Sequence, residues 1–134
     1  MSKSDVDQRS RILLTDCADT VRDKVRKAVT DCTPFITYDP CGRPGVSNLV
    51  DIASAMSGLG VEEVCECVRH MDTVQFKNHV TDLIVERLKP VRGEVSRLLS
   101  DRDHLCQVVS EGNERAAVIA DRTYCDVRRL VGFT

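Results

Sequence analysis

The sequence predicts an all-α fold, a helical bundle of about five helices. Three observations lead there. Apolar residues recur at steps of three and four along most of the chain. Aromatic residues are only 4% and tryptophan is absent, so a core must be built from Leu, Val, Ile and Ala. At 134 residues with 42% hydrophobic content, the chain has the size of one ordinary domain and enough apolar surface to bury a core.

Residues 1–15 read as a polar loop that turns apolar at Ile12, Leu13 and Leu14. Asp16 or Cys17 precedes the first helix, in which Val21, Val25, Ala28, Val29 and Cys32 share one face and Arg22, Lys24, Arg26 and Lys27 the other. The stretch 33–48, TPFITYDPCGRPGVSN, is punctuated by Pro34, Pro40, Gly42, Pro44 and Gly45, yet carries Phe, Ile and Tyr. That mixture predicts a structured loop, not a linker. Val46 or Ser47 opens a second helix, with Leu49, Ile52, Ala53 and Met56 inward and Gly58 as its stop. Gly60 separates a short third helix over 61–70, and Thr73 is the expected N-cap of a long fourth.

In the fourth helix Phe76, Val80, Leu83, Ile84, Leu88, Val91, Val95, Leu98 and Leu99 form one stripe. Pro90 lies inside it, and because the stripe continues in phase the expectation is a kink and not a break. Asp101 caps the last helix, whose register is kept by Leu105, Val108, Val109, Ala116, Ile119, Ala120, Val127, Leu130 and Val131, with Gly112 a place where it could bend. There is no internal repeat and no low-complexity tract.

The net charge of −2 and pI of about 5.9 do not advertise a nucleic-acid binder, so any such surface is local. No stretch has the roughly 18 apolar residues of a membrane span, and no signal or transit peptide is visible at Met1. Seven cysteines, an odd number without CxxC, read as reduced thiols of an intracellular compartment. Cys65 and Cys67 do not share a helix face and, with His70 three residues on, still lack a fourth ligand, so no protein-bound metal is expected. Asp101, Asp103 and His104 read as helix capping, and His79, beside the apolar stripe, as structural.

The opening MSKS, Met1 to Ser4, is a loop of small residues with one lysine. Such a loop can swing a point charge onto a phosphate and engage as charge develops on a leaving group. It is followed in order by AVTD (28–31), TYDP (37–40), RPGVSNLVDI (43–52), SGLGVEEV (57–64), LKPVRGEVSRLLSD (88–101) and EGNERAAVIADRTYCDVRRLVGF (111–133). This ordered series resembles the C-terminal part of the tryptophanyl-tRNA synthetases, class I aminoacyl-tRNA synthetases, over nearly the whole chain. TYDP with GR and GVSN, and the terminal LVGF, bring it closest to the mitochondrial branch.

The resemblance implies a division at residue 15. Residues 1–15 are then the remnant of the KMSKS loop, without its first lysine and without the Rossmann catalytic half, and 16–134 the helical anticodon-binding region. It implies for the complete enzyme a ligase that activates tryptophan with Mg2+-bound ATP and transfers it to tRNA(Trp). Lys3 is then the catalytic lysine, and Met1, Ser2, Lys3 and Ser4 the ATP-binding loop. The fragment alone is expected to be inactive. The family is homodimeric, and the mitochondrial matrix is the implied compartment, with the cytoplasm as alternative. Arg115, Arg122, Arg128 and Arg129 are candidate tRNA contacts; a solvated face balanced by Glu111, Glu114 and Asp126 explains them equally. A free-standing helical module that binds tRNA or protein without catalysis is the competing function.

Overall fold

The structure is a computed structural model that describes residue 7 and residues 10–133. Met1 to Ser4, with the expected ATP-binding loop and Lys3, lie outside the described residues. Five helices follow in order: α1 Ala18–Lys27, α2 Pro44–Ser57, α3 Val61–Val68, α4 Thr73–Ser100 and α5 Arg102–Val131. The described residues contain no strand. The chain divides into two compact units, residues 1–92 and 93–134.

The first unit is built on Val21 and Val25 of α1, Val46, Leu49, Val50 and Ala53 of α2, Val64 and Val68 of α3, and Phe76, Val80 and Ile84 of α4. Ile36 joins them from the loop at 33–43, whereas Phe35 and Tyr38 of the same loop are exposed. Among the described residues the buried polar side chains are Ser47 and Thr81, and both are satisfied: Ser47 Oγ accepts from the Asp39 N–H at 2.9 Å, and Thr81 Oγ1 donates to Lys77 O at 2.8 Å.

Several boundaries differ from the sequence reading. The α1 face stops short, since Ala28 leaves helical geometry with ψ 133 and Val29 is 87% exposed, so neither Val29 nor Cys32 belongs to it. The α1 carbonyls are instead taken by Lys77 of α4, whose Nζ donates to Ala28 O at 2.7 Å and Arg26 O at 3.3 Å. Helix α2 begins at Pro44, where a missing N–H costs nothing, two to three residues before the expected start. It ends on Gly58, in the left-handed region at φ 80, with its N–H on Ser54 O.

Helix α3 ends at Val68 and not His70. Its entry is secured by the Glu63 carboxylate, which accepts from the Gly60 N–H at 2.7 Å. Asp72, not Thr73, caps α4: its carboxylate accepts from Gln75 N at 2.7 Å, and the Gln75 side-chain oxygen accepts from Asp72 N at 3.0 Å. Helix α4 runs through Pro90 without interruption, but its stripe fades, with Val91 and Leu99 exposed.

In the second unit α5 is one uninterrupted helix across Gly112. Asp101 caps it as expected, accepting from His104 N at 3.1 Å. Gly132 closes it with paired bonds, Phe133 N to Arg128 O and Gly132 N to Arg129 O. None of its residues is buried.

Candidate functional site

The segment AVTD is where three elements meet. Ala28 O receives Lys77 from α4. Val29 O sits against Gly45 of α2 so closely that a Cβ there would fall 2.2 Å from it. Asp31 receives the guanidinium of Arg43 twice, Nε to Oδ2 at 2.9 Å and Nη2 to Oδ1 at 2.8 Å. Burial of the Lys77 ammonium pushes its pKa down.

Arg43 reaches further. Its Nη1 donates to Phe35 O and to Thr37 Oγ1, both at 2.6 Å, so one fork ties the whole 31–37 turn to the start of α2. The Asp31 carboxyl is held well below the usual carboxylate range, first by Arg43 and then by the Thr33 N–H at 2.9 Å. Asp39 closes the TYDP turn by accepting from Cys41 N and Gly42 N. The sequence marked AVTD, TYDP and RPG as words; the structure makes them one clamp.

Beside this clamp lies a groove of about 990 Å³. Asp7, Ser10 and Ile12 form one bank, Lys24, Lys27, Ala28 and Val29 of the α1 end another, and Pro44, Gly45 and Asn48 of the α2 start the third. Asp7, the first residue of that bank, stands three positions after Ser4 of the MSKS tetrapeptide in sequence. Lys24 is anchored: its Nζ lies 2.5 Å from Asp16 Oδ2, both side chains nearly buried. Burial raises the Asp16 carboxyl, but Lys24 and the Leu13 N–H, at 2.9 Å, outweigh it and the net shift is down. The groove thus offers polar and cationic edges over an apolar floor of Val25, Leu49 and Ile52.

The four candidate arginines all lie exposed on α5. Arg115, Arg122 and Arg129 stand seven residues apart, on one helix row at a pitch of roughly 10.5 Å. Arg129 pairs with Asp126 at 3.3 Å, and Arg115 Nε donates to Glu111 O at 3.2 Å. Arg128 lies off that row and stacks over Tyr124 at 5.7 Å from the ring centroid. Arg122 has no side-chain partner among the described residues. The structure therefore groups three of the four and sets Arg128 with an exposed aromatic ring.

All seven cysteines stand as free thiols. Among the described residues no group of three or more His, Cys, Asp or Glu could hold a metal, and no helix is long and apolar enough to cross a membrane. His79 is half-buried at the edge of a shallower surface depression with Asp82, Glu86 and Pro90. Sequence reasoning missed Arg43, Lys77 and Arg92 as organisers. Each bonds a partner remote in sequence, Arg43 to Asp31 12 residues away, Lys77 to Ala28 49 away and Arg92 to Asp16 76 away, which leaves no local pattern.

The family described as tRNA synthetases class I (W and Y) matches residues 1–89, from the MSKS loop through most of α4. Tryptophan–tRNA ligase of Rickettsia conorii is 35% identical over 133 residues, covering 99% of this chain and 40% of the relative. The mitochondrial tryptophan–tRNA ligase of Saccharomyces cerevisiae is 36% identical over 135 residues, covering 99% of this chain and 36% of the relative. The crystal structure of tryptophanyl-tRNA synthetase from Mycoplasma pneumoniae superposes with a TM-score of 0.66 at 23% identity, over all of this chain and 41% of that one, and so shares the fold. The chain spans about 40% of the length of the curated relatives it matches. With two thirds of its residues matched, from the lysine loop through the clamp and the core of the first unit, the chain belongs to the class I tRNA synthetases of the W and Y group.

Proposed function

We propose that this chain is the C-terminal portion of a tryptophan–tRNA ligase. Residues 1–15 supply the end of the phosphate-binding loop, and 16–134 the helical region that engages tRNA(Trp). The observation that carries the reading is the similarity to tryptophan–tRNA ligases across 99% of the chain. In the complete enzyme the carboxylate of tryptophan attacks the α-phosphorus of Mg2+-bound ATP. The bond to the bridging oxygen breaks, pyrophosphate leaves, and tryptophanyl-adenylate then gives its acyl group to the 3′ end of tRNA.

Lys3 is the residue of this chain assigned to that step. Its ammonium meets charge that grows on the departing pyrophosphate, and Met1, Ser2 and Ser4 shape the loop around it. A contact that strengthens in the transition state raises the rate and not the affinity. Arg115, Arg122 and Arg129, with Arg128 on Tyr124, serve as phosphate and base contacts for tRNA. The complete enzyme acts as a homodimer. Its compartment is the mitochondrial matrix; the yeast mitochondrial relative supports this, although bacterial relatives are equally similar.

The test uses the full-length protein. Tryptophan-dependent ATP–pyrophosphate exchange is expected, and Lys3→Ala should slow adenylate formation by roughly 10²–10³ while leaving ATP affinity nearly unchanged. Residues 1–134 alone should show no exchange, since the positioning of ATP and tryptophan, which contributes on the order of 7–11 kcal/mol, is missing. Exchange with another amino acid, exchange by the 134-residue chain alone, or a weakened ATP affinity at unchanged rate would overturn the assignment.

A further inference from the structure

The turn at residues 13–17 stands between the lysine loop and α1, and it is held from outside its own neighbourhood. Inside the turn, Asp16 N donates to Leu13 O at 3.0 Å and Leu13 N to Asp16 Oδ2 at 2.9 Å. From α1, Lys24 grips the same carboxylate. From α4, 76 residues away in sequence, Arg92 Nη1 donates to the main-chain carbonyl of Asp16 at 3.0 Å. The other arm of the fork, Nη2, donates to Val85 O at 2.8 Å on Arg92's own helix. Both bonds are part-buried, and both acceptors are neutral main-chain oxygens.

This is an unusual use of an arginine. No carboxylate draws it there; Asp16 already spends its charge on Lys24. The location of the acceptor explains the choice of side chain. Pro90 lacks the N–H that would bond Glu86 O, so the helix here has a weakened ladder. A planar fork anchored on the next carbonyl back, Val85 O, is a rigid strut across that weak turn, and its free arm reaches the turn at 13–17.

We infer that Arg92 is a positioning residue for the lysine loop, fixing the turn from which residues 1–12 depart. The inference rests on the assignment of Lys3 to the ligase reaction. A loop that must place one ammonium on a developing charge needs a fixed root, because a displacement of about 1 Å there can cost on the order of 10²-fold in rate. Asp16 and Lys24 fix the side-chain half of that root, and Arg92 the main-chain half. Lys24 also lines the groove beside Asp7, Ser10 and Ile12.

The experiment uses the full-length protein and the variants Arg92→Gln, Arg92→Lys, Lys3→Ala and the Arg92→Gln/Lys3→Ala double. Arg92→Gln should slow adenylate formation about tenfold, with the ATP dissociation constant within about twofold of wild type. Arg92→Lys should recover only part, since one ammonium cannot hold two carbonyls in a fixed fork. In the Lys3→Ala background Arg92→Gln should cost less than about twofold more, because both changes act through one loop.

A readout independent of catalysis accompanies these. Hydrogen exchange at the amides of Leu13 and Asp16 should speed up at least about tenfold in Arg92→Gln. Multiplying losses in the double variant, or amide exchange equal to wild type, would overturn the inference. Were wild type itself to lack tryptophan-dependent exchange of pyrophosphate, the ligase assignment would fall, and the amide measurement would still decide whether Arg92 fixes the turn. Should Arg92→Gln fail to fold, Arg92→Lys carries the same comparisons.

Discussion

Residues 28–31 and helix α5 were both conspicuous as sequence, and the structure treats them in opposite ways. The four residues of AVTD are short and irregular, and three of them are each held by a different partner: a lysine from α4, a glycine of α2 and an arginine at the α2 N-cap. The 30 residues of α5 are regular, well capped and amphipathic, yet none is buried. Periodicity shows that a segment can present an apolar face; only tertiary contacts show that the face is used. The difference separates a region whose stability comes from long-range bonds from one whose structure is local.

The sharpest break of that comparison is a pair of truncations. Phe76→Ala removes a fully buried ring of the first unit and should cost about 3–5 kcal/mol. Ile119→Ala on α5, at a residue 70% exposed, should stay within about 0.5 kcal/mol. Chemical denaturation of the two variants measures both. A large loss for Ile119→Ala would show that α5 buries its stripe in solution.

Two glycines give the next contrast, with opposite signs. Gly45→Ala drives a methyl to within 2.2 Å of a main-chain oxygen that cannot rotate away, so α2 or the 29–30 segment must shift, at about 1–3 kcal/mol. Gly112→Ala meets open space in the middle of α5 and should gain about 0.5–1 kcal/mol by lowering the entropy of the unfolded chain. Thermal melts should move in opposite directions; equal shifts would remove the distinction between clamped and local backbone.

How much of this was legible follows the same line. The helices and the composition of the core were readable because their signal lies within a few residues: Val21 with Val25, or Phe76 with Val80 and Ile84. The Asp72 cap was missed in favour of Thr73, although Gln75 three residues on is a local signal for it. The end of α1 was not readable, because the residue that bonds its last carbonyls, Lys77, lies 49 positions from Ala28. The resemblance named AVTD and RPGVSN without saying that Asp31 and Arg43 belong together. An ion pair 12 residues apart across a proline-rich loop has no local pattern. The lysine loop was legible only as a family word, and it lies outside the described residues.

Acid separates the regions more gently. Arg43 and the Thr33 N–H hold the Asp31 carboxyl below its unfolded value. The unfolded chain therefore binds the proton first as pH falls. The stability that the pair contributes is present above the unfolded carboxylate pKa of about 3.9 and is lost as pH falls toward the folded value. In Asp31→Asn that part of the acid dependence should vanish. The denaturation midpoints of variant and wild type should converge below about pH 4 and differ above it. A constant difference across that window would show that Asp31 acts through shape alone.

The smallest structural effect belongs to Arg122→Ala, and it tests what α5 is for. Arg122 has no side-chain partner among the described residues, so its removal should leave the melting temperature unchanged. Its place on the row with Arg115 and Arg129 makes it a free cation of that face. If this face meets the tRNA backbone, losing one phosphate contact weakens binding at low salt and reduces the slope of log affinity against log salt by about 1. Arg129→Ala should do less, because Asp126 already neutralises part of that charge and is freed when the arginine goes. Titration of the full-length protein with tRNA at several salt concentrations reads both slopes. An unchanged slope for Arg122→Ala would mean that this face is solvated in the complex. The exposed helix would then need some contact other than phosphate, such as the Tyr124 ring beneath Arg128, to serve the tRNA binding proposed for it.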